Sequence, residues 1–156
     1  MTSKKVHGRH GSRWLALQGL YAWVMTGNSL ASIEADLVAT DFQFNPQTLD
    51  IMPKISFDIA YVQELIHEIA ARKSTLDELM GPHLDRPIDE LNTIEYAILL
   101  IAVYELSERQ EIPYKVVINE AILLAKQFGA QDSHKFVNGV LDKTAKVTRR
   151  RELATA

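Results

Sequence analysis

The spacing of apolar residues is that of α-helices in almost every long segment. An i, i+3, i+4, i+7 pattern predicts a first helix that ends near Thr26, and its apolar members are Leu17, Leu20, Tyr21 and Val24. A second, short helix is predicted over residues 30–39, followed by a proline-containing loop over residues 41–53. No segment shows the alternation of a strand between turn pairs, so the chain is predicted to be all-α.

The middle of the chain predicts two more helices with a break between them. Helical spacing over residues 58–80 predicts one long amphipathic helix, which Gly81 and Pro82 end. After the break at residues 81–87, Asn92 is placed to cap a helix whose segment AILLIAVYEL is apolar nearly all round. Such a helix belongs in the middle of a core, so we predict that the two helices following it pack against it.

Residues 113–143 predict two amphipathic helices on either side of a short polar segment, residues 127–133, called the joint below. The first helix begins at Pro113 and ends at Gly129. Asp132 or Ser133 can cap the second helix, which carries Phe136 and Val140 on one strip. Seven residues near the joint have no packing role in this pattern: Asn119, Glu120, Asp132, His134, Lys135, Asn138 and Gly139.

The residues near the joint have a structural and a functional interpretation. In the structural interpretation, Asp132 and Ser133 are helix caps, Gly139 permits close helix packing, and Lys135 is solvated. In the functional interpretation, their crowding in one place indicates a binding surface. The pattern of residues leaves both interpretations open.

Length and composition limit the classes of protein to consider. With 156 residues, the chain can bury one substantial core or form two small helical bundles that share an interface. It has no cysteine, which excludes disulfides, a thiolate nucleophile and a cysteine metal cluster. The longest apolar run, residues 97–104, is far shorter than the roughly 20 residues that cross a bilayer. We therefore expect a soluble, cytoplasmic protein with no membrane partner.

Charge is segregated along the sequence, although the net charge is −3. Residues 1–33 hold four basic and no acidic residues, and residues 142–156 hold five basic and two acidic residues. The body between them holds eight basic and 18 acidic residues. Segregated charge steers association, so the basic ends suit an anionic ligand and the acidic body suits a cationic partner. The alternative is that the basic ends are ordinary disordered tails.

The sequence carries no legible catalytic signature. The histidines lack the spacing of a metalloprotease, and the seven glycines form neither GxGxxG nor GxxxxGK. Asp132 and His134 resemble a fragment of a relay, but no nucleophile elbow accompanies them. An enzyme is therefore disfavoured, and neither a metal nor a cofactor is expected.

Four blocks of sequence resemble the NusB family of bacterial transcription antitermination factors: ALQGLYAW, RPIDELNTIEYAILLIAVYEL, IPYKVVINEAILLAK and DSHKFVNGVLDK. The resemblance covers most of the chain at matching spacing. It implies an all-helical fold of two joined bundles with about seven helices, and no catalysis. We expect one domain over residues 1–156, with sub-bundles at about 1–81 and 88–147 and a basic tail at 148–156.

The resemblance also implies partners. Proteins of this family bind the boxA element of ribosomal RNA leader transcripts together with the small-subunit ribosomal protein that acts as NusE. They work within an RNA polymerase antitermination complex and support processive rRNA transcription. Both monomers and homodimers occur in the family. The competing hypothesis is a helical protein-interaction scaffold that does not bind RNA directly.

Site residues follow from the resemblance by position. It places RNA-binding residues in the basic amino-terminal segment and beside the joint, with Asn138 added on spacing: Lys4, Lys5, Arg9, His10, Arg13, Asp132, Lys135, Phe136 and Asn138. It places partner-binding residues at Tyr21 and Glu95. Lysine and arginine would contact phosphate, and an exposed Phe136 would stack on an unpaired base.

The chain departs from the family pattern at several positions. His10 and Gly11 stand where arginines are common, and Leu100 occupies a site that often carries arginine. We therefore expect weak RNA affinity that depends on the partner or on protonated histidine. Glycines at 8 and 11 weaken helix, so the basic segment is expected to fray until a ligand orders it. Some proteins continue from this fold into an RNA methyltransferase domain, which we do not expect here because the sequence stops at Ala156.

Overall fold

The computed structural model describes residues 2–39 and 57–155, and the side chains of residues 8–37 and 57–155. This part of the chain contains no strand, and the predicted all-α class is confirmed. The predicted loop at residues 41–53 lies outside the described residues. The helices are α1 (Thr2–Thr26), α2 (Leu30–Ala39), α3 (Ile59–Ala71), α4 (Lys73–Met80), α5 (Thr93–Glu108), α6 (Tyr114–Phe128), α7 (Ser133–Thr148) and α8 (Arg150–Thr155), with 3₁₀ turns at Gly81–His83 and Ile88–Glu90.

The chain divides into two compact units, Met1–Glu68 and Ile69–Ala156. The division falls within α3, whereas the sequence placed it at the break over residues 81–87. The predicted long helix over residues 58–80 is also interrupted. Arg72 leaves the helical conformation (φ −107°, ψ 14°), and its N–H donates to the carbonyl of Ile69 three residues back. A 3₁₀-type bond of this kind separates α3 from α4.

In the first unit, α1 is continuous through Gly8 and Gly11, so the expected fraying of this segment is not seen in the structure. Both glycines are buried. The buried Ser12 hydroxyl donates to the Gly8 carbonyl at 2.6 Å and accepts the Asp58 N–H at 2.8 Å. This side chain therefore ties α1 to the residue that precedes α3, which offsets the low helix propensity of glycine.

The ends of α1 and α2 agree with the sequence prediction. The first helix ends at Thr26 and is followed by Gly27 at φ 71°, a left-handed conformation that glycine adopts without steric cost. The second helix has the predicted bounds, residues 30–39. The apolar residues of α1 that face the core are Trp14, Leu15, Ala16, Leu17 and Leu20, whereas Tyr21 is exposed.

The second unit is built around α5. The Asn92 side chain accepts the N–H groups of Ile94 (2.8 Å) and Glu95 (3.3 Å), which confirms the predicted cap. Every residue from 95 to 106 is buried, and α5 packs against both α6 and α7. The predicted central position of this helix is confirmed. Leu100, the residue that departs from the family pattern, has no exposed surface and belongs to this core.

Arg149 is buried in the second unit and is not a free part of a basic tail. Its guanidinium donates to the carbonyls of Glu105 and Leu106 in the last turn of α5. Three further bonds reach the carbonyls of Arg109 and Ile112 and the Glu152 carboxylate. All five N–H donors of the fork are therefore used. Residues 150–155 form α8, so the predicted tail is largely helical.

Glu152 makes the stability of the region around Arg149 depend on pH. Its carboxylate accepts the Tyr114 N–H at 2.9 Å and pairs with Arg149. Desolvation raises the pKa of Glu152, but these hydrogen bonds outweigh it, and the pKa lies below its ordinary value. A lowered carboxyl pKa contributes stability that is complete above the ordinary value and is lost as pH falls through the folded value.

Replacing Glu152 by glutamine is therefore expected to destabilise the protein at about pH 7 more than at about pH 3.5. The measurement is urea unfolding of wild type and E152Q across this range. The control is E111Q, since Glu111 pairs with Arg109 at the surface with 54% of its side chain exposed. The prediction would be contradicted if the difference in the free energy of unfolding between wild type and E152Q were as large at about pH 3.5 as at about pH 7.

Candidate nucleic-acid interface

The joint ends α6 and leads into α7 through backbone hydrogen bonds. The Gly129 N–H donates to the Ala125 carbonyl at 2.8 Å, so α6 ends at the predicted glycine. Four residues later α7 begins, and it directs Val137, Val140 and Leu141 into the core. The residues of α7 that face away from these are exposed and include Lys135, Gly139, Asp142 and Lys143.

Neither predicted cap acts as a cap. Asp132 occupies the N-cap position of α7, but its side chain makes no capping hydrogen bond and is 74% exposed. The buried Ser133 hydroxyl donates instead to the Glu95 carboxylate of α5 at 2.6 Å. Lys135 is solvated, as expected, and its Nζ lies 3.7 Å from a carboxylate oxygen of Asp132. The capping interpretation of Asp132 and Ser133 is therefore wrong, and Asp132 is left at the surface.

Gly139 also lacks its predicted structural role. It lies in the interior of α7 and is exposed, and a Cβ built there would meet no heavy atom within 4 Å. Close helix packing does not explain this glycine, so that interpretation is wrong. Glycine in a helix interior costs about 0.5–1 kcal/mol relative to alanine. A backbone left open in this way can be approached closely by a ligand.

The two glycines near the joint predict opposite effects on stability. A Cβ at Gly129 would lie 2.7 Å from both the Ala125 oxygen and the Ser133 Cβ. We expect Gly129→Ala to destabilise the protein by about 1–3 kcal/mol through overpacking. Gly139→Ala should stabilise it by about 0.5–1 kcal/mol through helix propensity. Chemical unfolding of both variants tests the pair, and a shift of the same sign in both would contradict the argument.

Phe136 is half-buried on α7 and has a cationic neighbour that sequence reasoning did not place there. The Arg86 guanidinium carbon lies 4.9 Å from the centroid of the Phe136 ring. Arg86 belongs to the RPIDEL block, but no periodicity links two residues 50 positions apart. The nearby Asn138 is also half-buried. The start of α7 thus holds Asp132, Lys135, Phe136 and Asn138, and Arg86 lies beside the Phe136 ring.

The predicted residues in the amino-terminal helix differ in exposure. The side chains of Lys4 and Lys5 lie outside the described residues. Arg9 is half-buried, with its guanidinium 5.1 Å from the centroid of the Tyr61 ring, and His10 is half-buried as well. Arg13 is 4% exposed, which does not suit a direct phosphate contact.

The two predicted partner-binding residues have different surroundings. Tyr21 on α1 is 37% exposed, and Met25, one turn later on the same helix, is 57% exposed. Apolar spacing alone placed Tyr21 in the same stripe as the buried Leu17 and Leu20, so it did not predict that Tyr21 is exposed. Glu95 is buried, and its carboxylate holds the Ser133 hydroxyl at the joint. Glu95 therefore has a structural role, whatever else it contacts.

Two other features are absent from the described part of the chain, a metal site and a membrane-spanning helix. Among residues 8–37 and 57–155, no three histidine, aspartate or glutamate side chains are grouped in a way that could hold a metal ion. No helix in the described part of the chain combines the length and apolar character needed to cross a membrane.

The sequence is similar to those of NusB proteins. A sequence model described as the NusB family matches residues 10–146. The transcription antitermination protein NusB of Shewanella baltica is 49% identical over 135 residues, which cover 86% of this chain and 92% of that protein. The protein of the same name from Shewanella oneidensis matches with the same identity and coverage.

The fold is similar to that of solved NusB structures. A crystal structure of the antitermination factors NusB and NusE in complex with dsRNA contains a chain with a TM-score of 0.72 and 24% identity. The match covers 89% of this chain and 96% of that chain. A structure of T. maritima NusB matches with a TM-score of 0.68 and 27% identity, covering 88% of this chain and 90% of that one.

Proposed function

Because the chain belongs to the NusB family, we propose that it is a transcription antitermination factor that binds boxA RNA together with NusE and supports processive transcription of ribosomal RNA. In the solved complex, NusB and NusE are bound with dsRNA. The observation that carries the RNA-binding proposal is the start of α7. There, a half-buried aromatic ring lies beside exposed polar residues with no capping or packing role.

The residues at the start of α7 supply three kinds of RNA contact. Lys135 is exposed and cationic, which suits a phosphate. The Phe136 ring suits an unpaired base, because base stacking is the usual way that proteins hold single-stranded RNA. Asp132 and Asn138 can hydrogen-bond base edges, and Gly139 leaves room for the ligand to approach the helix backbone.

The amino-terminal helix adds cationic groups in the first unit. We propose phosphate contacts for Lys4, Lys5 and Arg9, with His10 contributing when protonated. Arg13 is left out of this set because its side chain is buried.

The proposed NusE contact rests on the exposed Tyr21–Met25 pair and on the acidic body of the chain. A ring and a thioether exposed one turn apart form the apolar centre that protein interfaces favour. The acidic residues suit a basic ribosomal protein. We further propose that residues 1–156 act as one non-enzymatic RNA-binding domain in the cytoplasm.

A salt titration of RNA binding tests the proposed function. Four phosphate contacts, at Lys4, Lys5, Arg9 and Lys135, predict that log K against log salt has a slope of about −3 for a single-stranded boxA RNA. Affinity is measured with and without NusE, and we expect tighter binding in its presence. A flat salt response, or equal affinity for polyglutamate, would overturn the proposal.

The scaffold alternative predicts that the partner binds while RNA does not. Charge-removing variants K4Q, K5Q and K135Q separate the two hypotheses, since an RNA binder loses affinity and salt dependence while a scaffold keeps its partner. Substitution is preferred to truncation of the first helix, because Ser12 joins this helix to Asp58 and is buried.

A further inference from the structure

Arg86 lies on the surface between the two 3₁₀ turns of the second unit, and an acidic neighbour fixes its orientation. Its Nε donates to one Asp85 carboxylate oxygen at 2.7 Å and its Nη2 donates to the other at 3.1 Å. The exposed fractions of the two side chains are 42% for Arg86 and 64% for Asp85. A two-point fork of this kind restrains the guanidinium plane.

The restrained guanidinium lies over the Phe136 ring, with 4.9 Å between its central carbon and the ring centroid. Arginine is well suited to this position because its planar cation both attracts the face of an aromatic ring and presents a second flat surface outward. Nucleobases stack on arginine planes as well as on aromatic rings. Arg86 thus covers one face of the Phe136 ring, and its own plane is available to a base in place of that face.

The charges around Arg86 argue against a simple phosphate contact. The hydrogen bond from Arg86 is the largest effect that lowers the pKa of Asp85, so the carboxylate stays ionised and offsets the arginine charge. The pKa of Arg86 is raised mainly by its hydrogen bonds and ion pair with Asp85, and the charges of Glu95 and Glu90 add to this effect. A phosphate would meet three carboxylates, at Asp85, Glu90 and Glu95, along with the cations of Arg86 and Lys143. A neutral base face is a better fit.

We propose that Arg86 and Phe136 together form the base-stacking surface for unpaired RNA, with Arg86 supplying a stacking plane and not a phosphate contact. This inference rests on the proposed RNA-binding function. It also assigns an RNA contact to the 3₁₀-flanked segment before α5, where the family resemblance placed no site residue.

Lysine and glutamine substitutions separate a stacking plane from a charge. Because lysine keeps the charge but has no plane, R86K and R86Q should both weaken binding of single-stranded boxA RNA by about five- to tenfold. The slope of log K against log salt should stay at its wild-type value in both. K135Q should reduce that slope by about 0.7, as expected for the loss of one phosphate contact. The matched controls are R72K and R72Q, since Arg72 is 39% exposed and lies 3.9 Å from the Glu108 carboxylate.

Two further comparisons identify the ligand group. A fully paired duplex of the same sequence offers no free base face, so R86K should bind it as wild type does. A double-mutant cycle of R86K with F136L should show that the two losses are not additive, because both substitutions disrupt one surface.

The outcomes distinguish failure of the inference from failure of the proposed function. Absence of RNA binding by the wild-type protein overturns both. Wild-type binding with unchanged affinity in R86K and R86Q overturns the stacking role only. If R86K kept its affinity while R86Q showed a shallower slope of log K against log salt, Arg86 would be a phosphate contact. That result would also overturn the stacking role.

Discussion

Replacing Arg149 by methionine is expected to lower the free energy of unfolding by about 3–5 kcal/mol. Methionine is similar in length but has no donor, so four backbone carbonyls and the Glu152 carboxylate lose a partner. The Glu105 and Leu106 carbonyls in the last turn of α5 keep the Arg109 N–H and the Gln110 amide as donors, so the largest losses fall on the Ile112 carbonyl and the Glu152 carboxylate. The cation also complements the negative end of the helix dipole.

Urea unfolding of R149M measures this loss, with R150M as the control. Arg150 is the next residue and is exposed, so its substitution should change stability by less than about 0.5 kcal/mol. R149K should remain clearly destabilised, because an ammonium restores the charge without the five-donor fork. A loss of under about 1 kcal/mol in R149M would show that water replaces the lost bonds. Arg149 would then not be what stabilises the contact between the end of α7 and residues 105–112.

Local patterns in the sequence predicted the central part of the fold. The run of apolar residues in α5 has only one arrangement that buries all its sides, and Asn92 marks its beginning through a bond to residues two and three positions away. The end of α1 is set by Gly27 in the same local way. These features depend on residues within one or two helical turns, so a single sequence contains the information for them.

Long-range polar contacts could not be predicted from the same patterns. Arg149 looked like one more basic residue near the carboxyl end, because its partners at residues 105–112 lie about 40 positions away. The Ser133–Glu95 bond spans 38 residues and removes an apparent helix cap. Arg86 reaches Phe136 across 50 residues. Each pairing depends on how helices α5, α6 and α7 pack together. The sequence predicted that these helices are neighbours, but it did not predict which side chains are in contact.

Phe136→Leu is expected to weaken binding of single-stranded boxA RNA by about 1–3 kcal/mol, which corresponds to about 5- to 150-fold. Leucine keeps most of the apolar volume against the core but has no aromatic face. Phe136→Tyr keeps the face and should bind within about threefold of wild type. The control on the same helix is Val147→Ala, since Val147 is an apolar residue with 44% exposure and no proposed RNA contact.

The half-buried position of Phe136 requires that stability and binding be measured together. Its helical strip also contains the buried Val140, so part of any loss in F136L can come from weaker packing of α7. Loss of packing would lower stability and would affect single-stranded and duplex RNA alike. Loss of stacking would weaken the single strand selectively while F136Y binds normally. Equal affinities of F136L and wild type for the single strand would mean that the ring serves the core, and the RNA surface would then have to be sought elsewhere on the protein.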